Sequence, residues 1–143
     1  MTIKQISVFI ENKEGRIKKA LDTLTKNNIN IKALSIADSS KYGILRLIVS
    51  DNQKAIESLE NDGFVVREND VVILAIPDEP NGLNSILEIL DKDNINLEYL
   101  FAFSTNKSDK AIVVMRLENV DEAVALLKDN DAEILEKEDI EKL

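Results

Sequence analysis

The stretch Glu11–Ile31, ENKEGRIKKALDTLTKNNINI, decides how this chain is read, because it returns 66 positions later as Pro77–Leu97, PDEPNGLNSILEILDKDNINL. At that offset Leu21 meets Leu87, Leu24 meets Leu90, Lys26 meets Lys92, and Asn28-Ile29-Asn30 meets Asn94-Ile95-Asn96. A recurrence of this kind marks a tandem repeat, and each copy is one supersecondary unit. Before this stretch, Ile6, Val8 and Ile10 alternate with Gln5, Ser7 and Phe9, the period of a strand with one buried face. Ile17, Ala20, Leu21 and Leu24 then fall at helical spacing, with Lys18, Lys19, Asp22 and Lys26 on the other side.

The order of signals within a copy is strand, polar turn, helix, strand, strand, helix, strand. In the first copy the helix is expected over 16–27, with Asn12 as its cap, Glu14 at the positive end of its dipole and Asn27-Asn28 at its close. The second strand covers 30–38, where Ile29 and Ile31 share one parity and Leu34 and Ile36 the other. After a turn at Ser39-Ser40-Lys41, Tyr42–Val49 is apolar at nearly every position, so its second face should also be covered by protein. Ser50-Asp51-Asn52 opens a helix that buries Ala55, Ile56 and Leu59, Asn61-Asp62-Gly63 closes it, and Phe64–Val66 is the fourth strand. The result is a βαββαβ, ferredoxin-like unit. The second copy repeats it as strand 71–76, helix 81–92, strands 95–104 and 110–117, helix 121–129 and strand 132–136. A longer turn at Thr105–Asp109 moves the offset to 68, and a charged tail follows over 137–143. The only candidate boundary, Glu68-Asn69-Asp70, gives domains 1–69 and 70–143.

With 143 residues and no Cys, the chain has neither disulfides nor thiolate metal sites. With no His it lacks the commonest general base and the commonest transition-metal ligand, which argues against an enzyme and against a bound cofactor or metal. The net charge of −9 opposes binding to nucleic acid. No apolar run reaches membrane-spanning length and no signal peptide is apparent, so the expectation is a cytoplasmic protein. Asn106-Lys107-Ser108 fits a glycosylation acceptor, which has no meaning without secretion.

The most informative turn is Asp78-Glu79-Pro80-Asn81-Gly82-Leu83, which corresponds to Asn12-Lys13-Glu14-Gly15-Arg16-Ile17 in the first copy. It resembles the Asp-x-Pro-Gly-x-Leu turn of the ACT domain family, a small-molecule regulatory module of amino-acid metabolism, and Asn-Ile-Asn-Ile/Leu resembles that family's Gly-Ile-Asn-Ile. The copies depart from it differently: the first has Asn12 for Asp and Glu14 for Pro, and the second keeps Asp78 and Pro80 but places Gly82 one position late. A Gly lets backbone turn tightly against a ligand, free helix N–H groups favour a carboxylate, and an oxygen of Asn12 or Asp78 can accept from an ammonium group. The bland alternative is that Asn12 and Asp78 only cap helices.

The resemblance implies an α+β fold of two ACT units, with antiparallel sheets covered by helices on one face and paired edge to edge or face to face, in a homodimer. It implies binding at unit interfaces, between these turns and strand 2. By position that adds Leu34, Ser35, Ile36 and Ala37, and Tyr99, Leu100, Phe101, Ala102 and Phe103, most of which also suit simple packing. Arg16 beside Gly15 is a candidate anion contact, whereas Arg46 and Arg116 on the third strands suit structural ion pairs. The implied function is a stand-alone sensor of a small amino acid that acts in trans on a metabolic enzyme. The alternatives are a regulatory subunit such as that of acetohydroxyacid synthase, and a pairing module without ligand. Tyr99, Phe101 and Phe103 share a strand face, but the acidic balance speaks against a base-stacking platform.

Overall fold

The computed structural model describes residues 2–38, 41–104 and 109–143. The turn expected at Ser39-Ser40, most of that at Thr105–Asp109 and the tripeptide at 106–108 lie outside the described residues. The chain divides into two compact units, Lys4–Asn69 and Asp70–Leu143 together with residues 2–3.

The N-terminal unit is built from β1 (Ile3–Glu11), α1 (Arg16–Lys26), β2 (Ile31–Asp38), β3 (Tyr42–Val49), α2 (Asn52–Asn61) and the first part of β4 (Val65–Pro77). Its strand order is β2-β3-β1-β4, with β1 and β2 both antiparallel to β3. Ile6, Val8, Ile10, Leu45 and Leu47 close on Ala20, Leu24, Ala55 and Leu59 from the helices, all almost fully buried. The C-terminal unit repeats the plan with the rest of β4, α3 (Gly82–Lys92), β5 (Leu97–Ser104), β6 (Lys110–Leu117), α4 (Val120–Asp129) and β7 (Glu133–Ile134). Here β4 lies between β6 and β7, with β5 outside β6. Val72, Leu74, Val113 and Met115 pack on Ile86, Leu90, Ala123 and Leu127. This is the expected α+β architecture.

Four details differ from the sequence reading or sharpen it. Glu68-Asn69-Asp70, where the two units divide, is no loop but the middle of the 13-residue strand β4. Low strand propensity gives way there to fixed partners: Ser7 Oγ donates to Asn69 Oδ1 at 3.4 Å, and Arg116 donates to the Asp70 carbonyl at 2.7 Å. The last strand shrinks from 132–136 to two residues, with Leu135 N–H still donating to the Ile73 carbonyl. The charged tail forms α5 (Lys137–Glu141), whose capping box joins Glu136 and Asp139 and whose Ile140 is buried. Asn12 does not cap α1; Gly15 occupies the cap position and no side chain bonds there.

The parity change seen along the second strand is a β-bulge. Ile31 pairs with Val49 but Ala33 pairs with Ile48, so Ile31, Leu34 and Ile36 all reach the helix side. The same slip recurs between Leu97 and Tyr99. The repeated Asn-Ile-Asn also has a structural cause. Asn28 and Asn94 sit in the left-handed region at φ 57° and 55°. Beyond them Ile29 N–H donates to the Leu24 carbonyl and Ile95 N–H to the Leu90 carbonyl. Asn28 and Asn94 N–H reach the Thr25 and Asp91 carbonyls, completing Schellman closures. Gly63 and Asp131 close α2 and α4 in the same way.

Candidate ligand site

In the N-terminal unit the β1–α1 turn is tied down by three backbone bonds. Lys13 N–H donates to the Glu11 carbonyl at 2.8 Å, Asn12 N–H to the Lys41 carbonyl at 3.2 Å, and Arg16 N–H to the Lys13 carbonyl at 3.4 Å. Gly15, at φ 79°, then swings the chain into α1, and a Cβ added to it would meet nothing within 4 Å. The helix therefore starts in open space without a side-chain cap, and no acidic residue occupies its first turn. The N–H groups at such a helix start carry partial positive charge.

Against this turn lies a cavity of about 110 Å³, lined by Ile10, Glu11, Asn12, Lys13, Ile17, Ile36, Tyr42, Gly43 and Leu45. The β ladders dictate this gathering, since Glu11 pairs with Tyr42, Ile10 with Gly43, and Ile36 with Leu45. The floor is aliphatic and the mouth polar. The Asn12 side chain makes no hydrogen bond among the described residues, and Lys13 and Glu11 form an exposed ion pair of 3.1 Å. Ile17, Leu34, Ile36 and Tyr42 remain strongly exposed for apolar or aromatic side chains, Tyr42 at 56 %.

Of the residues marked from sequence, the structure brings together Asn12, Lys13, Ile17 and Ile36, with Leu34 beside them on the same strand face. Glu14 and Gly15 shape the turn, with Glu14 exposed before the helix. Ser35 faces away, paired with Arg46 on the opposite face of the sheet, and Ala37 lies there opposite Ile44. Arg16 also leaves the site, stacking its guanidinium over Phe64 at 4.6 Å. Tyr42, Glu11 and the floor residues Ile10 and Leu45 were not marked as ligand contacts. Tyr42 enters the site through the β1–β3 register, where it stands opposite Glu11.

The C-terminal turn has different geometry. Asn81 caps α3 at φ −99°, its side-chain oxygen accepting from Asn84 at 3.4 Å, and Gly82 takes the position that Arg16 holds in the first copy. Gly82 is buried, and a Cβ there would stand 2.1 Å from the Pro77 carbonyl oxygen. Asp78 and Pro80 are exposed; Asp78 N–H donates to the Asp109 carbonyl at 2.8 Å, and no side chain caps α3. Leu83 and Leu100 pack half-buried on the core, and Ala102 is exposed on the helix-side face. Tyr99, Phe101 and Phe103 share the opposite face, where they pair with Arg116, Val114 and Ile112. Arg116 is a structural cation, bonded to Glu98 at 3.2 Å. A larger depression of about 400 Å³ lies at the far end of α3, between Asn84, Glu88, Asp91 and Asn96.

Among the described residues no group of three or more acidic side chains could hold a metal ion, and no helix is long and apolar enough to cross a membrane. Two ferredoxin-like units in tandem, each with a strand-turn-helix corner, define a duplicated α+β module. The chain belongs to the ACT domain pair family, which matches residues 1–143. Protein BT0572 from Bacteroides thetaiotaomicron is 39% identical, with a TM-score of 0.93 over 100% of this chain and 98% of that one. The regulatory subunits of aspartate kinase from Thermus thermophilus and Thermus flavus share the fold at 16% and 19% identity. Their TM-scores are 0.63 and 0.64, over 88% and 87% of this chain and 90% and 88% of theirs. No curated protein matches the sequence.

Proposed function

We propose that this protein is a stand-alone, cytoplasmic sensor that binds a small amino acid and acts in trans on an enzyme or other partner of amino-acid metabolism, without catalysis of its own. The observation that carries this reading is the cavity at the Asn12–Gly15 turn. An uncapped helix start offers N–H groups to an α-carboxylate, Asn12 and Glu11 offer oxygens to an ammonium group, and aliphatic side chains floor the space between. The fold shared with regulatory subunits of aspartate kinase supports a regulatory role by analogy. The exposed rim of Leu34, Ile36 and Tyr42 is covered, in this reading, by a second copy of the chain, so that binding shifts the population of an assembly.

The test is a thermal-shift screen of the purified chain against the twenty amino acids. A ligand at 100 times its Kd adds about 2.7 kcal/mol to the folded state, and the expected result is a rise in Tm with one or a few amino acids. A flat response to all twenty would sink the sensor reading and turn attention to a partner-dependent subunit or a pairing module.

A further inference from the structure

We infer that the N-terminal unit alone carries the small-molecule site, and that this site takes an amino acid with a branched aliphatic side chain; the inference rests on the amino-acid-binding reading above. The β ladders fix which positions correspond. Tyr42 stands opposite Glu11 as Lys110 stands opposite Pro77, and Ile36 stands opposite Leu45 as Ala102 stands opposite Val113. Asn12 and Lys13 thus become Asp78 and Glu79, while Ile36 and Tyr42 become Ala102 and Lys110.

The changes at Lys13, Ile36 and Tyr42 each remove something the ligand needs. The apolar walls supplied by Ile36 and Tyr42 shrink to a methyl group and a Lys110 stem whose ammonium is held by Glu133. The mouth, where Glu11 and Lys13 balance each other beside the neutral Asn12, becomes Pro77 and two adjacent carboxylates with no ion-pair partner among the described residues. They repel the carboxylate that the helix start would attract. The cap position changes as well: the left-handed Gly15, with nothing within 4 Å of an added Cβ, is replaced by Asn81, whose side chain stands at the start of α3.

The lining of the N-terminal cavity selects the ligand's side chain. The space of about 110 Å³ opens at its mouth, and its floor is aliphatic. An isopropyl or isobutyl group fills it against Ile10, Ile17, Ile36 and Leu45. Such a floor offers a charged side chain no partner.

The experiment is isothermal titration of the full-length chain with L-valine, L-leucine and L-isoleucine in turn, for the wild type, Ile36→Trp and Ala102→Trp. Both substitutions fall on exposed strand positions, and circular dichroism confirms that each variant is folded. The expected result is one ligand per chain, weakened by about tenfold or more in Ile36→Trp and unchanged within about twofold in Ala102→Trp. Two ligands per chain, or loss in Ala102→Trp, would overturn the assignment to one unit. Three inert aliphatic ligands beside a different amino acid that raises Tm would overturn the side-chain class. If no amino acid raises Tm, the amino-acid-binding reading itself fails and this inference falls with it.

Discussion

Gly82→Ala gives the sharpest test of the packing at the C-terminal turn, because local propensity and tertiary contact predict opposite signs. In an exposed helix, replacing Gly by Ala stabilises by about 1 kcal/mol, since Gly loses more backbone entropy on folding. At position 82 the added methyl group would stand 2.1 Å from the Pro77 carbonyl oxygen and 3.2 Å from its carbon, where real Cβ contacts under 3.0 Å are essentially never seen. The obstacle is backbone at the end of β4, so no side chain can rotate out of the way. Forcing extra volume into such a place costs about 1–3 kcal/mol, and a rigid carbonyl puts the cost at the upper end. The net expectation is a loss of about 2 kcal/mol, or about 6 °C in Tm for a chain of this size. Differential scanning calorimetry of Gly82→Ala beside the wild type measures it. An unchanged or raised Tm would refute the close contact and leave only the propensity argument. Gly15→Ala is the companion measurement: nothing obstructs its Cβ, so only the positive φ of 79° is strained, at about 1–2 kcal/mol.

Other expectations concern side chains whose partners are known. Asp51 accepts from the Lys54 N–H at the start of α2, so Asp51→Ala should cost about 1 kcal/mol in urea unfolding. Asn12→Ala, which removes no cap, should stay within about 0.5 kcal/mol of the wild type while abolishing any amino-acid-induced rise in Tm. Asn28→Gly should hold or raise stability by a few tenths of a kcal/mol, and Asn28→Val should lower it by about 1–2 kcal/mol, because only the second change strains the left-handed closure of α1. Arg116→Ala deletes the bonds to Glu98 and to the Asp70 carbonyl, and a midpoint shift worth about 2 kcal/mol is expected.

Much of the fold was legible because the repeat doubled each local signal. Asn-Ile-Asn marks a Schellman closure followed by an edge strand, and meeting it at both 28–30 and 94–96 separated pattern from accident. The parity switch between Ile31 and Leu34 was visible in sequence, although only the pairing with β3 identifies it as a bulge. What stayed hidden depends on partners distant in sequence. Glu68-Asn69-Asp70 marks the division between the units, but its place inside one continuous strand involves Ser7 and Arg116, which reach it from 62 and 46 residues away. Asn12 reads as a cap because its type and spacing suit one. The helix starts at Arg16 as expected, but its cap position falls on the left-handed Gly15, three residues after Asn12, which leaves Asn12 to line the cavity. Tyr42 was missed for the same reason: its place in the site follows from the β1–β3 register, which a single sequence does not state.

The bulges near Lys32 and Glu98 bear on solubility. Each lies on β2 or β5, the outermost strand of its unit, where unpaired backbone groups can recruit another chain. A bulge there breaks the regular spacing of donors and acceptors and sharpens the local twist, so a flat foreign strand can follow the rim only part of the way before its bonds fall out of step. Each bulge also brackets a charged residue, Lys32 in one copy and Glu98 in the other. A chain with six consecutive apolar or nearly apolar positions on one rim, as in Tyr99–Ser104, thereby carries its own stop against open-ended fibre growth.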